Sequence, residues 1–138
     1  MNGQSFIRII HEAFCPFLKG LGFMLEASLI SGRFYRAKFI SKSNVIDISY
    51  EPGDDAFFVI IFNRFINGQL SDVDNRRETP RLVDLNNQYM ATITSEERAK
   101  NEKFFKMVVV HDSEERYLLK AAKELRLVLP KYLLRKST

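Results

Sequence analysis

The chain has no tryptophan, one cysteine, two histidines and no apolar run approaching the ~18 residues of a membrane-spanning helix. Each shortage closes a route. A lone Cys15 excludes an internal disulfide and fits a reducing compartment. With His11 and His111 as the two histidines, no His/Cys pair has ligand spacing, so no zinc site is expected. No GxGxxG, GxxxxGKS/T or GxSxG occurs, which leaves phosphate-cradling loops and serine elbows without a motif. The opening MNGQSFIRIIHEAF lacks a charged n-region, a long apolar segment and a small-residue cleavage site. It predicts a cytoplasmic protein, mature as written.

Tryptophan is replaced by twelve phenylalanines among 138 residues, so the core is expected to be packed largely with phenyl rings. Apolar residues at 46% and charged residues at 28% are ordinary for a globule, which makes disorder an unsuitable reading. The length predicts one domain over 1–138, large enough to fold without staples.

Phe57–Ile66, FFVIIFNRFI, opens with six apolar residues that are β-branched or aromatic and do not alternate. Such a run predicts a strand covered on both faces, or nearly so. Before it, Phe23, Leu25, Ala27 and Leu29 alternate with Met24, Glu26 and Ser28. Tyr35, Ala37 and Phe39 alternate in the same way, as do Ile46, Ile48 and Tyr50. These three period-2 segments predict an antiparallel meander with one wet face. Asn67-Gly68 is a hairpin signal, so Gln69–Val73 is expected to add a short fifth strand.

Residues 5–19 carry apolar side chains at helical spacing, with Pro16 expected to kink the helix near Cys15 and Lys19-Gly20 to stop it. Pro80 behind Thr79 predicts a second helix start. Thr94-Ser95-Glu96-Glu97 is a capping box for a helix reaching about Val110. Asp112-Ser113-Glu114-Glu115 opens a last helix with the stripe Tyr117, Leu118, Ala121, Leu125, Val128, Leu129, Tyr132 and Leu133, bent or broken near Pro130. The predicted class is α+β: a leading helix, four to five antiparallel strands, then two to three helices on the sheet.

Charge is unevenly placed. From Arg116 onward seven Lys/Arg face one acid, Glu124, although the whole chain is only +4. Arg116, Lys120, Lys123 and Arg126 recur every three or four residues, which offers a nucleic-acid surface as the alternative function. The densest mixed cluster is Asp72, Asp74, Arg76, Arg77, Glu78, Arg81 and Asp84. It offers forks and carboxylates to a charged partner, or forms a salt-bridged loop. Glu51, Asp54 and Asp55 flank a Pro-Gly turn and are either turn residues or a second acidic contact. His11, His111 and Cys15 read as structural, no nucleophile–base pair is visible, and no catalytic residue, metal or cofactor is expected.

With EPGDD, FFVIIF and DVDNRRETPRLVDLN in place, and with SGRFYRAKF and VIDISYEPGD as the meander, the chain resembles small immunity proteins of bacterial toxin–immunity systems. The nearest likeness is to those encoded beside contact-dependent or polymorphic toxins. The resemblance implies a non-enzymatic inhibitor that binds a cognate toxin domain tightly and masks its active site. The resemblance carries over no contact residue; the charged segment and the acidic turn make the expected contact set Glu51, Asp54, Asp55, Asp72, Asp74, Arg76, Arg77, Arg81 and Asp84. A +4 chain is expected to suit a neutral or acidic partner, or to confine an acidic patch to the sheet end near Asp47, Glu51, Asp54 and Asp55.

Overall fold

A computed structural model describes residues 1–51 and 56–137, and Asp54 and Asp55 lie outside the described residues. Helix α1 (Gly3–Ile9) is capped by Asn2, whose side chain accepts the Ser5 N–H at 2.9 Å. Pro16 has no N–H to give to a carbonyl four residues back. The chain answers with a π-turn over Ile10–Phe14, in which the Cys15 N–H bonds the carbonyl of Ile10. Helix α2 (Cys15–Gly20) then carries Pro16 in its first turn, where a missing donor costs least. The expected kink is therefore one extra residue wound into the helix. The left-handed residue of the exit is Gly22 at φ 92°, not Gly20, because Phe23 N–H turns back to the Leu18 carbonyl at 2.9 Å.

Four strands follow: β1 (Met24–Ser31), β2 (Phe34–Ile40), β3 (Asn44–Glu51) and β4 (Ala56–Asn63). They pair as an antiparallel meander in sequence order. The alternation expected of β2 and β3 holds. Tyr35, Ala37 and Phe39 stand beside Tyr50, Ile48 and Ile46, all buried, and Phe57, Val59 and Ile61 complete the same face. β1 departs from expectation. Its register shifts between Leu25 and Ala27, so Leu25 pairs with Phe39 but Ser28 and Ile30 pair with Ala37 and Tyr35. A bulge reverses the in-and-out sense of the strand beyond it, which puts Ala27 and Leu29 on the other face.

The fifth strand does not form. Asn67-Gly68 does turn the chain back, but pairing stops at one bridge, Arg64 with Leu70. Ser71 then bonds Asn63 twice, through N–H to carbonyl and through Oγ to the Asn63 N–H, both at 2.9 Å. Asp72 Oδ1 takes the Asp74 N–H and Asn75 Oδ1 the Arg77 N–H. These side-chain turns replace the ladder that a strand needs.

Helix α3 (Leu82–Tyr89) begins two residues later than Pro80 suggests. The Pro80 carbonyl is taken by the Ile61 N–H at 2.9 Å, and the Thr79 hydroxyl by Ser71 Oγ and the Asp72 carbonyl, both at 2.6 Å. Asp84 closes the helix start by accepting the Arg81 N–H at 2.9 Å. In α4 (Ser95–Phe104) the predicted capping box is present, with Thr94 and Glu97 exchanging bonds of 3.1 Å. It ends well before Val110, ahead of the β-branched run Val108–Val110. Helix α5 (Ser113–Ser137) passes through Pro130 without a break. Leu118, Ala121, Ala122, Leu125, Val128 and Leu129 are buried, whereas Tyr117 is 62% exposed and lies off the stripe. No described helix is long and apolar enough to cross a membrane.

The core joins side chains of α1, α2, α3 and α5 to one face of the sheet. Every strand residue in it comes from the face of Tyr35, Ile48 and Val59. The other face contributes none to this cluster, although Val45 on that face is itself buried, at 2% exposure.

Candidate functional site

That other face is built by the remaining half of each strand. Its rows, read from β1 to β4, are Leu29, Arg36, Ser49, Phe58, then Ala27, Lys38, Asp47, Ile60, then Met24, Ile40, Val45, Phe62. The last row is apolar throughout, and β4 is apolar along its length. Met24 is 72% exposed, Leu29 50% and Phe58 37%, while Phe34, Ile40, Ile60 and Phe62 are half-buried. The middle is charged. Arg36 Nε donates to both oxygens of Asp47 at 3.0 and 2.9 Å, and Nη2 adds a further contact. Asp47 is 7% exposed, so this fork satisfies a nearly buried carboxylate and raises the Arg36 pKa, its hydrogen bond outweighing burial. Lys38 stands directly across from Asp47 yet makes no ion pair or hydrogen bond among the described residues. Two cations flank one carboxylate, and Arg36 alone is paired with it.

The run FFVIIF is thus covered on one face by this chain, and β4 is an edge strand, contrary to the sequence expectation. Its free edge is partly closed by Pro80 and by Ser71, which take the Ile61 and Asn63 N–H groups. The mixed cluster of residues 71–84 lies along this edge and is largely bonded to itself. Arg76 forks onto Asp84, Nε to Oδ2 at 3.0 Å and Nη2 to Oδ1 at 2.7 Å. Arg81 Nη1 donates to the Thr79 carbonyl at 2.8 Å. Arg77 has no side-chain partner among the described residues, and Asp72 and Asp74 are exposed. Burial alone would raise the Asp84 carboxyl, but the Arg81 N–H and the Arg76 guanidinium hold it below its ordinary value. Glu51 ends β3 on the open face, at the opposite end of β4 from Asn63, about 23 Å away along the strand. Glu51 and the 72–84 segment are therefore separate rims of one face.

The basic residues of α5 divide. Lys123 bonds Glu102 at 2.9 Å, and Arg126 donates to Asn101 Oδ1 at 2.8 Å with its guanidinium 4.1 Å above the Phe104 ring. Both hold α4 against α5. Arg116 and Lys120 remain exposed, Lys120 lining with Tyr117 a cavity of about 580 Å³ beside Phe57 and Val59. The four cations expected to form one phosphate-binding row are half spent on packing. His11 Nδ1 lies 3.9 Å from Cys15 Sγ, and burial pushes the Cys15 thiol up, which suits an unreactive side chain. Among the described residues no three His, Cys, Asp or Glu side chains gather as metal ligands.

No family model, curated protein or solved structure matches this chain. Geometry alone carries the functional argument. Sequence reasoning missed Lys38 and the apolar rows around it. The signal was legible in the unbroken apolar run of β4, which asks for two covers, while the helical stripes of the chain supply one.

Proposed function

We propose that the chain is a non-enzymatic cytoplasmic binding protein of the immunity type, which docks a cognate toxin domain on the open face of its sheet. One observation carries this reading: β4 has the composition of a strand buried on both faces, but its own chain buries only one. An apolar surface spanning four strands marks an interaction site. The occupant is a different protein and not a second copy. Lys38 sits in the middle row of the face, so a two-fold self-association brings like charges together, whereas a partner carboxylate set among apolar groups compensates it. Glu51 at one rim and the Asp72, Asp74, Arg76, Arg77, Arg81 and Asp84 segment along the other supply the polar surround that such interfaces have.

The test pairs the protein with the product of the gene beside its own. The wild type is expected to restore growth to cells expressing that product and to bind it in solution. Lys38→Glu and Phe58→Ser are each expected to weaken binding about tenfold or more while leaving the circular dichroism spectrum unchanged. Full protection and affinity in the Lys38→Glu, Phe58→Ser double variant would remove the open face from the interface. A neighbouring product that is harmless would remove the immunity reading itself.

A further inference from the structure

A second site lies away from the open face, where the 71–84 loop meets the last turns of α5. A cavity of about 650 Å³ is walled there by Arg76, Arg77, Asp84, Tyr89, Tyr132 and Arg135. The one lining carboxylate is already engaged: Asp84 holds the Arg76 fork and the Arg81 N–H. Arg77 has no counter-ion among the described residues. The wall also holds a buried donor without a use. Tyr89 is 8% exposed, and its hydroxyl has no hydrogen-bond partner among the described residues. A buried hydroxyl in a native fold is almost always satisfied, by protein, solvent or ligand.

We propose that this cavity binds a small organic oxyanion, a phosphate or carboxylate group gripped by the Arg77 guanidinium, with the Tyr89 hydroxyl as a further donor. Guanidinium forks match the paired oxygens of either group, and the two tyrosine rings give the attached organic part an apolar wall. Burial raises the Tyr132 phenol pKa against the lowering effect of its hydrogen bond with Asn63, and the neighbouring Tyr89 adds to the rise. At about 650 Å³ the space exceeds what a bare ion fills and falls in the range of small-molecule sites. The inference does not rest on the docking proposal: its apolar wall is Tyr89 and Tyr132 and not the open sheet face, although Arg76, Arg77 and Asp84 also belong to the segment assigned to the docking rim.

The experiment titrates the full chain with phenyl phosphate and, separately, benzoate at constant ionic strength, following arginine side-chain and backbone signals by NMR. Saturable shifts at Arg76, Arg77 and Arg135 are expected with at least one probe, and the tighter of the two names the oxyanion. Arg77→Gln is expected to lower affinity about tenfold and Tyr89→Phe several-fold, with Lys100→Gln, remote from the cavity, leaving it unchanged. Tyr89→Phe removes one oxygen from a buried ring, so Arg77→Gln at the surface guards against loss of fold in that variant. Shifts that stay linear to about 20 mM, or that follow every exposed cation and fall equally in Lys100→Gln, would mean an adventitious ion only and overturn the site.

Discussion

Glu115 is a carboxylate left 2% exposed at the start of α5, and its charge is answered by Arg8, 107 positions earlier in α1. The Arg8 side chain keeps about a third of its surface in solvent and also bonds Glu12 at 2.9 Å. Burying a charge is costly unless it is paired, so the damage from losing the partner exceeds the worth of the pair. Arg8→Ala is expected to destabilise the protein by roughly 2–3 kcal/mol, discounted from a fully buried pair for that exposure. Adding Glu115→Gln should recover part of the loss. Denaturant midpoints of the single and double variants measure the coupling, and strict additivity would mean that the two side chains do not act together.

At the level of elements, the β1 bulge decides which side chain meets α1. Turning Ile30 to the helix side brings it against Gly3, where an added Cβ would lie 2.7 Å from Ile30 Cγ2. Alanine at a helical position ordinarily helps by up to about 1 kcal/mol, but a contact this short with a stiff β-branched side chain forces the neighbours apart. Gly3→Ala is therefore expected to lower stability by about 1 kcal/mol. In an Ile30→Ala background the same change should turn neutral or favourable. A stabilising Gly3→Ala in the unmodified protein would contradict the bulged register. The glycine thus reports on a strand that it precedes by more than twenty residues.

For the whole molecule, acid is the informative perturbation. Asp84, Glu97 and Asp112 all have pKa values held below their ordinary ones. At Asp84, burial is overcome by the Arg81 N–H and Arg76; at Glu97 the Thr94 N–H leads, and at Asp112 the Glu115 N–H. A folded pKa below the unfolded one gives stability that is complete above the unfolded value. It is lost as pH falls through the folded value. Melting temperature should therefore be flat near neutrality and fall only below the ordinary carboxylate range. The triple variant Asp84→Asn, Glu97→Gln, Asp112→Asn should start lower and show a shallower acid limb. An acid limb of unchanged slope would show that other carboxylates govern acid unfolding.

Much of the local structure was legible in the chain because it depends on periods and caps that span a few residues. The inward sides of β2 and β3, the Thr94–Glu97 cap, the turn at Asn67-Gly68 and the disturbance at Pro16 all belong to this class. What depended on distant partners was not legible. A one-residue bulge reversed half of β1, and Ser71 and Asp72 spent on side-chain turns the groups that a fifth strand would have used. The candidate sites divide in the same way. Arg76, Arg77 and Asp84 stood out as a charge cluster, but only folding locked Arg76 to Asp84 and brought Arg77 to Tyr89 and Arg135. The apolar run of β4 determined by itself that both of its faces favour cover. Tertiary structure decided that one would be left open, because every buried helical stripe of the described chain packs on the same side of the sheet.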